Sequence, residues 1–217
     1  MSLRTPRLTM SIAPLPIAVM PIAAVSIAAL VMLTGCSGPT EPAAAPSSAP
    51  AVDAGGGAAV AAYLTSDCAT VSASIASDQP PADAQGLDGV FVTLGPEGVP
   101  AISISDRAPD AAVLQTLDLS QGKGDAVAPG DSVTVNYCGV GLTSRQIFDS
   151  SWVRGEPISF SLDGLIQGWI DGMPGMRVGG ERLLLIPGEL AYGANPPSPA
   201  IGPNETLVFV IQLLAIQ

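Results

Sequence analysis

The side chains that most often carry chemistry are thinly supplied here. The 217 residues include no histidine, which removes His-based acid–base catalysis, Ser-His nucleophile pairs and every His-ligated metal site. Three cysteines, Cys36, Cys68 and Cys138, lie too far apart for a CxxC redox or zinc signature. No metal and no cofactor is expected. With 19 acidic against 8 basic residues the formal net charge is −11. No Lys/Arg run offsets it, so the chain lacks the electrostatic footprint of a nucleic-acid binder. Any activity must work without a side chain that ordinarily titrates near neutrality.

The elements that could position such a site begin after a segment that reads as an address. Arg4 and Arg7 precede an uncharged apolar run from Met10 to Leu33, long enough to span a bilayer. Pro14, Pro16 and Pro21 suit a retained spanning helix poorly. The run ends in Leu33-Thr34-Gly35-Cys36 followed by Ser37, which resembles the bacterial lipobox. Residues 1–35 are therefore expected to be a lipoprotein signal peptide, with Cys36 carrying the lipid; a retained signal anchor is the alternative. Residues 36–62 are rich in Ala, Pro, Gly and Ser and too poor in apolar bulk to offset the entropy of ordering. They read as a lipid-anchored flexible linker. The expected location is the extracytoplasmic face of the cell membrane, touched through the anchor alone.

Residues 63–112 carry no chemical motif. Val90-Phe91-Val92-Thr93-Leu94 and Ala101-Ile102-Ser103-Ile104-Ser105 look like strands around the turn Gly95-Pro96-Glu97-Gly98. This accessory segment is read as small β structure, with a hairpin packed on the following sheet as one form. Beyond it, Ser132–Tyr137 alternates with period two and puts Val133, Val135 and Tyr137 on one face. Arg182–Ile186 is a short apolar run closed by Pro187-Gly188, and Thr206–Leu214 is a longer β-branched strand. Leu165–Ile170 has room for a couple of helical turns before Pro174 stops it. The reading is α+β: antiparallel strands with one short helix.

Five blocks then arrive in order: Asn136-Tyr137-Cys138-Gly139, Phe148-Asp149-Ser150-Ser151, Ile166-Gln167-Gly168-Trp169, Gly188–Ala194, and Pro203–Phe209. Together they resemble the FKBP-type peptidyl-prolyl isomerases over residues 113–217. The resemblance implies a bent antiparallel β-sheet wrapped around one short helix, and a pocket that lowers the barrier to rotation about X–Pro amides. It implies Trp169 as the floor on which the proline ring rests, with Tyr137, Phe148, Leu165, Ile166 and Phe209 as apolar walls. Asp149 would sit at the rim, Tyr192 would donate its hydroxyl to a substrate carbonyl, Arg154 would support Asp149, and Ile201 would keep one apolar contact. Partners would be proline-containing exported polypeptides, met by a monomer, and macrolide inhibitors. Pro197 and Ala200 replace a His and a bulky aliphatic common in eukaryotic members, which weakens any expectation of macrolide affinity.

Other readings of the same pocket are a non-enzymatic module or chaperone that holds a Pro-containing segment, and a scaffold whose pocket is vestigial. Retention of the pocket aromatics together argues against the last. Outside the pocket, Leu183, Leu185 and Val210 are apolar on the opposite sheet face, where the resemblance implies polar residues. Residues 90–105, or another protein, are expected to cover them. Cys68 and Cys138 are the pair left once Cys36 is lipidated. A disulfide between them is expected to clip the accessory segment to the outer face; two free thiols would refute it.

Overall fold

In a computed structural model of the chain, residues 62–217 are described. The expectations for the signal peptide, for Cys36 and for almost all of the linker fall outside these residues. The described part is two antiparallel sheets packed face to face.

The first sheet is built from β1 (Tyr63–Asp67), β2 (Ser72–Ser77), β3 (Gln85–Leu87), β4 (Val90–Leu94) and β5 (Pro100–Ser105), in the order β2-β1-β5-β4-β3. The hairpin read from the sequence is β4–β5; three further strands extend it. β1 and β2 are rich in Ser, Thr and Ala, so they lack the aliphatic alternation by which a strand is usually noticed. Pairing holds them instead, with β1 joined along its whole length to β5.

The second sheet contains β6 (Gln115–Ser120), β7 (Ser132–Gly141), β8 (Ile147–Ser150), β9 (Ile158–Ser161), β10 (Glu181–Ile186) and β11 (Leu207–Ile216). Its order is β6-β10-β11-β7-β8, and β9 pairs with β7 at Ser132–Val135. The outer edge of β7 is thus shared by β9 and β8. The chain leaves that edge through α1 (Ser151–Arg154) and crosses the sheet's concave face in α2 (Gln167–Gly172).

Alternation along the strands makes two cores. Toward α2 lie Val133, Val135, Leu184, Ile186, Ile211 and Leu213. The opposite parity, Cys138, Val140, Leu183, Leu185, Val208 and Val210, packs on Val90, Val92, Ile102 and Ile104 of the first sheet. β10 is consequently buried at every position, the pattern of a strand covered on both faces. Leu183, Leu185 and Val210 are at most 2 % exposed. A Cys68–Cys138 disulfide crosses between the layers with a Cα–Cα distance of 6.0 Å, and the Ser150 hydroxyl donates to the Cys68 carbonyl at 2.7 Å.

Candidate active site

The concave face carries a cavity of about 220 Å³, smaller than the ~300–1,000 Å³ of sites for drug-sized ligands. That size suits one small ring with its adjoining amide. Trp169 reaches it from α2 and is 4 % exposed. α2 can approach the sheet because residue 168 is glycine: a Cβ there would lie 2.3 Å from Ile186 Cγ2. Behind the helix, the Arg182 guanidinium of β10 donates to the Gly172 carbonyl at 2.8 Å and the Pro174 carbonyl at 3.3 Å. This caps orphan carbonyls at the helix C-terminus.

Around the Trp169 ring the aromatics meet edge to face. Centroid distances are 5.4 Å to Phe209, 5.6 Å to Tyr137 and 6.1 Å to Phe160, while Phe148 lies 5.5 Å from Phe209. These separations are those at which aromatic pairs attract beyond simple burial. Leu165 and Ile166 complete the apolar wall, and Asp149 and Tyr192 contribute polar atoms.

Phe148 and Asp149 are adjacent in sequence and should point to opposite faces of β8, yet both line the cavity. A bulge resolves this. Gly139 of β7 pairs with Asp149 and Val140 with Ile147, leaving Phe148 as the extra residue. Bulges beside active sites re-aim side chains in this way. Gly139 leaves room for the result, since a Cβ there would meet the Phe148 ring at 2.5 Å and Phe209 Cε1 at 2.9 Å.

The rim is electrostatically closed. The Tyr137 hydroxyl donates to Asp149, which also pairs with the Arg154 guanidinium. Arg154 donates in turn to the Tyr137 oxygen at 3.1 Å and lies over the Tyr137 ring, 5.4 Å from its centroid. Arg154 can turn back on Asp149 because α1 stops at Gly155, whose φ of +75° suits glycine. The Ser151 hydroxyl accepts from the Tyr137 backbone N–H at 2.9 Å and donates to the Asn136 side chain at 3.1 Å. Burial, and then the bond to Asp149, push the Tyr137 hydroxyl up to about 12. Burial and the Asp149 charge raise Tyr192 as well. Both phenols therefore keep their protons through neutral pH.

The structure thus brings Tyr137, Phe148, Asp149, Leu165, Ile166, Trp169, Tyr192 and Phe209 to one cavity. Arg154 stands on the rim rather than in the wall. Ile201 is 5 % exposed and packs in the same core as Trp169 and Phe209, outside the cavity lining. Phe160 is a wall residue the sequence did not disclose. The only signal was a lone aromatic in Ile158–Ser161. Among the described residues no group of three or more His, Cys, Asp or Glu is arranged to hold a metal ion.

Comparison with known proteins gives concordant matches. The family pattern described as FKBP-type peptidyl-prolyl cis-trans isomerase matches residues 123–214. The chain is 44 % identical over 108 residues to a probable FK506-binding protein of Corynebacterium glutamicum, covering 50 % of this chain and 89 % of that protein. It is 48 % identical over 96 residues to the FKBP-type peptidyl-prolyl cis-trans isomerase FkpA of Escherichia coli. That match covers 44 % of this chain and 35 % of FkpA, so the chain spans about a third of that relative's length. The crystal structure of FkpA from Escherichia coli matches with a TM-score of 0.45 at 45 % identity, covering 48 % of each chain.

Proposed function

The chain belongs to the FKBP-type peptidyl-prolyl cis-trans isomerase family, and from that premise we propose that its cavity seats the proline of an X–Pro segment and catalyses rotation about the preceding amide. The observation that carries this is the Trp169-floored aromatic cavity with polar atoms confined to its rim. Rotation of an X–Pro bond faces a barrier of roughly 18–20 kcal/mol and takes about 10–100 s uncatalysed. No bond to substrate need form and no proton need leave.

The chemistry follows from what the twist does to the amide. A planar amide is polarised by resonance, and the perpendicular transition state has lost that resonance. Moving the group from water into a dry aromatic cavity destabilises the planar form more than the twisted one, which lowers the barrier. Trp169, Tyr137, Phe160 and Phe209 supply the dry surface, and Phe148, Leu165 and Ile166 confine the ring. Tyr192, 36 % exposed at the mouth, donates to a substrate carbonyl. The Asp149–Tyr137–Arg154 cluster fixes the rim, so little reorganisation accompanies rotation. The absence of histidine costs such a mechanism nothing.

The proposed clients are proline-containing polypeptides exported from the cytoplasm. A macrolide such as the FK506 in the name of the Corynebacterium relative is proposed to compete for the cavity. The protein is proposed to act on the extracytoplasmic face of the membrane, lipid-anchored at Cys36 after removal of residues 1–35. Two observations support export: the Leu33–Cys36 motif, and a Cys68–Cys138 disulfide, a bond that persists in oxidising compartments. The direct test is a chromophore-release or protease-coupled assay with an X–Pro peptide. An isomerisation rate rising in proportion to protein concentration supports the enzyme. Saturable binding without acceleration would leave only a proline-segment binding module.

A further inference from the structure

Val71 carries two costs at once. It is β-branched with φ of +53°, a left-handed backbone in which such residues are genuine outliers, and its side chain is 48 % exposed. The β1–β2 turn that holds it needs no valine. Asp67 builds that turn, its carboxylate accepting from the backbone N–H groups of Ala69 and Thr70 at 2.9 Å each. The Val71 N–H donates to the Asp67 carbonyl, also at 2.9 Å. Glycine or asparagine would fit the turn with less strain. Strain of this kind gathers at ligand-gripping positions.

Opposite Val71 stands Val153 of α1, 49 % exposed. Between them lies a groove that shares two wall residues, Phe148 and Asp149, with the aromatic cavity. Its first section, about 230 Å³, is framed by Val71, Val153 and Ile147. Its second section, about 300 Å³, continues past Val71 and Ile147 to Ala73 of β2. One wall belongs to each sheet. The disulfide and the Ser150–Cys68 hydrogen bond fix their separation. β2 is an open edge of its sheet and contains only Ser, Ala and Ile, without the charges or proline that usually blunt an edge. The basic residues here are already engaged, Arg145 with the carbonyls of Ile104 and Ser105 and Arg154 with Asp149. What the groove offers beside these engaged charges is aliphatic contact from Val71, Val153 and Ile147, with Ser66 and Ser150 along its walls.

We infer that this groove is a subsite for the polypeptide flanking the proline, gripping an aliphatic side chain of an extended, unfolded client between Val71 and Val153. Adjacency selects the occupant: Phe148 and Asp149 line both the cavity and the groove, so chain flanking a bound proline needs only to pass over these two residues to reach Val71 and Val153. The inference rests on the reading of the cavity as the proline site. It makes the accessory sheet part of substrate selection: short peptides use the cavity alone, and unfolded chains use both.

The test uses the full chain and a Val71→Gly/Val153→Ser double variant. Glycine suits the left-handed backbone, so the variant should melt within a few degrees of wild type. Two substrates are compared, a short X–Pro peptide ending beside the proline and a longer peptide carrying leucines on both sides of it. Wild type should process the longer peptide with about tenfold higher kcat/KM, as burial of one aliphatic side chain warrants. The double variant should lose most of that advantage while turning over the short peptide within about twofold of wild type. Affinity for the labelled longer peptide is read separately by fluorescence anisotropy. A tenfold weaker Kd in the variant, with no isomerisation by wild type, would keep the groove and reject the enzyme. Equal affinity and equal kcat/KM for the longer peptide in both proteins would overturn the groove. So would a variant altered only in sedimentation, which would make the groove a contact between copies.

Discussion

Replacing Cys68 and Cys138 together by alanine cuts the covalent link between the two sheets. The bridged residues are 70 apart in sequence. Constraining a loop of that length in the unfolded chain is worth about 4 kcal/mol on the loop-entropy estimate. Both cysteines are fully buried, so removing the sulfurs adds a small packing loss. For a folded unit of this size each kcal/mol moves Tm by about 2–4 °C, giving an expected fall of about 8–16 °C. Cys138 lies on the sheet face away from the cavity, with Tyr137 on the other side of β7. Turnover of a short X–Pro peptide well below the melting point should therefore change less than about threefold. Circular dichroism melting of both proteins, paired with the peptide assay at a low temperature, reads the two quantities independently. A Tm shift under about 3 °C would show that the apolar interface alone holds the layers. A tenfold loss of turnover without a Tm shift would show that the first sheet tunes the cavity despite lying against the opposite face of the second sheet.

Gly139→Ala places a methyl against Phe148 and Phe209; it should cost about 1–3 kcal/mol as overpacking does and lower kcat/KM at least tenfold, read by melting and peptide turnover. The pH profile of kcat/KM should be flat from about pH 6 to 9, because no histidine is present and the cavity phenols stay protonated. Tyr137 keeps its proton to about 12 when folded, above the ordinary tyrosine value of about 10. Its contribution to stability is whole below about pH 10 and is lost between about pH 10 and 12, a decline that urea unfolding across that range should record and that Tyr137→Phe should remove. Cys36→Ala should shift the protein from the detergent phase to the aqueous phase without changing its melting; unchanged partitioning would point to a retained apolar helix instead.

Much of the second sheet was legible because its strands announce themselves physically. Ser132–Tyr137 alternates, Thr206–Leu214 is rich in β-branched residues, and Leu183–Ile186 is apolar throughout because it is covered on both faces. The short helix was legible from Leu165–Ile170, framed by Pro174. β1 and β2 were not, since Tyr63–Asp67 and Ser72–Ser77 gain their conformation from pairing and one cysteine rather than from intrinsic preference. The cavity was legible as a set of aromatic blocks, yet its construction was not. The bulge that turns Phe148 and Asp149 to one side depends on register between β7 and β8, which no local pattern encodes. Phe160 escaped notice because its strand is short and half exposed. Ile201 sits in a loop, where an aliphatic can close a core as readily as touch a ligand, and no local pattern separates the two roles.

On the proposed mechanism a dry aromatic floor, rather than any single polar group, lowers the rotation barrier. The measurement that tests it most directly is kcat/KM for one short X–Pro peptide in Trp169→Ala and in Tyr192→Phe, each checked to be folded. Tyr192→Phe deletes one hydroxyl, worth about 0.5–1.5 kcal/mol, and should retain activity within about two- to thirteenfold of wild type. Trp169→Ala opens the floor to water and should lose at least a further order of magnitude. A Trp169→Ala protein that remains folded and active while Tyr192→Phe is inactive would contradict the account.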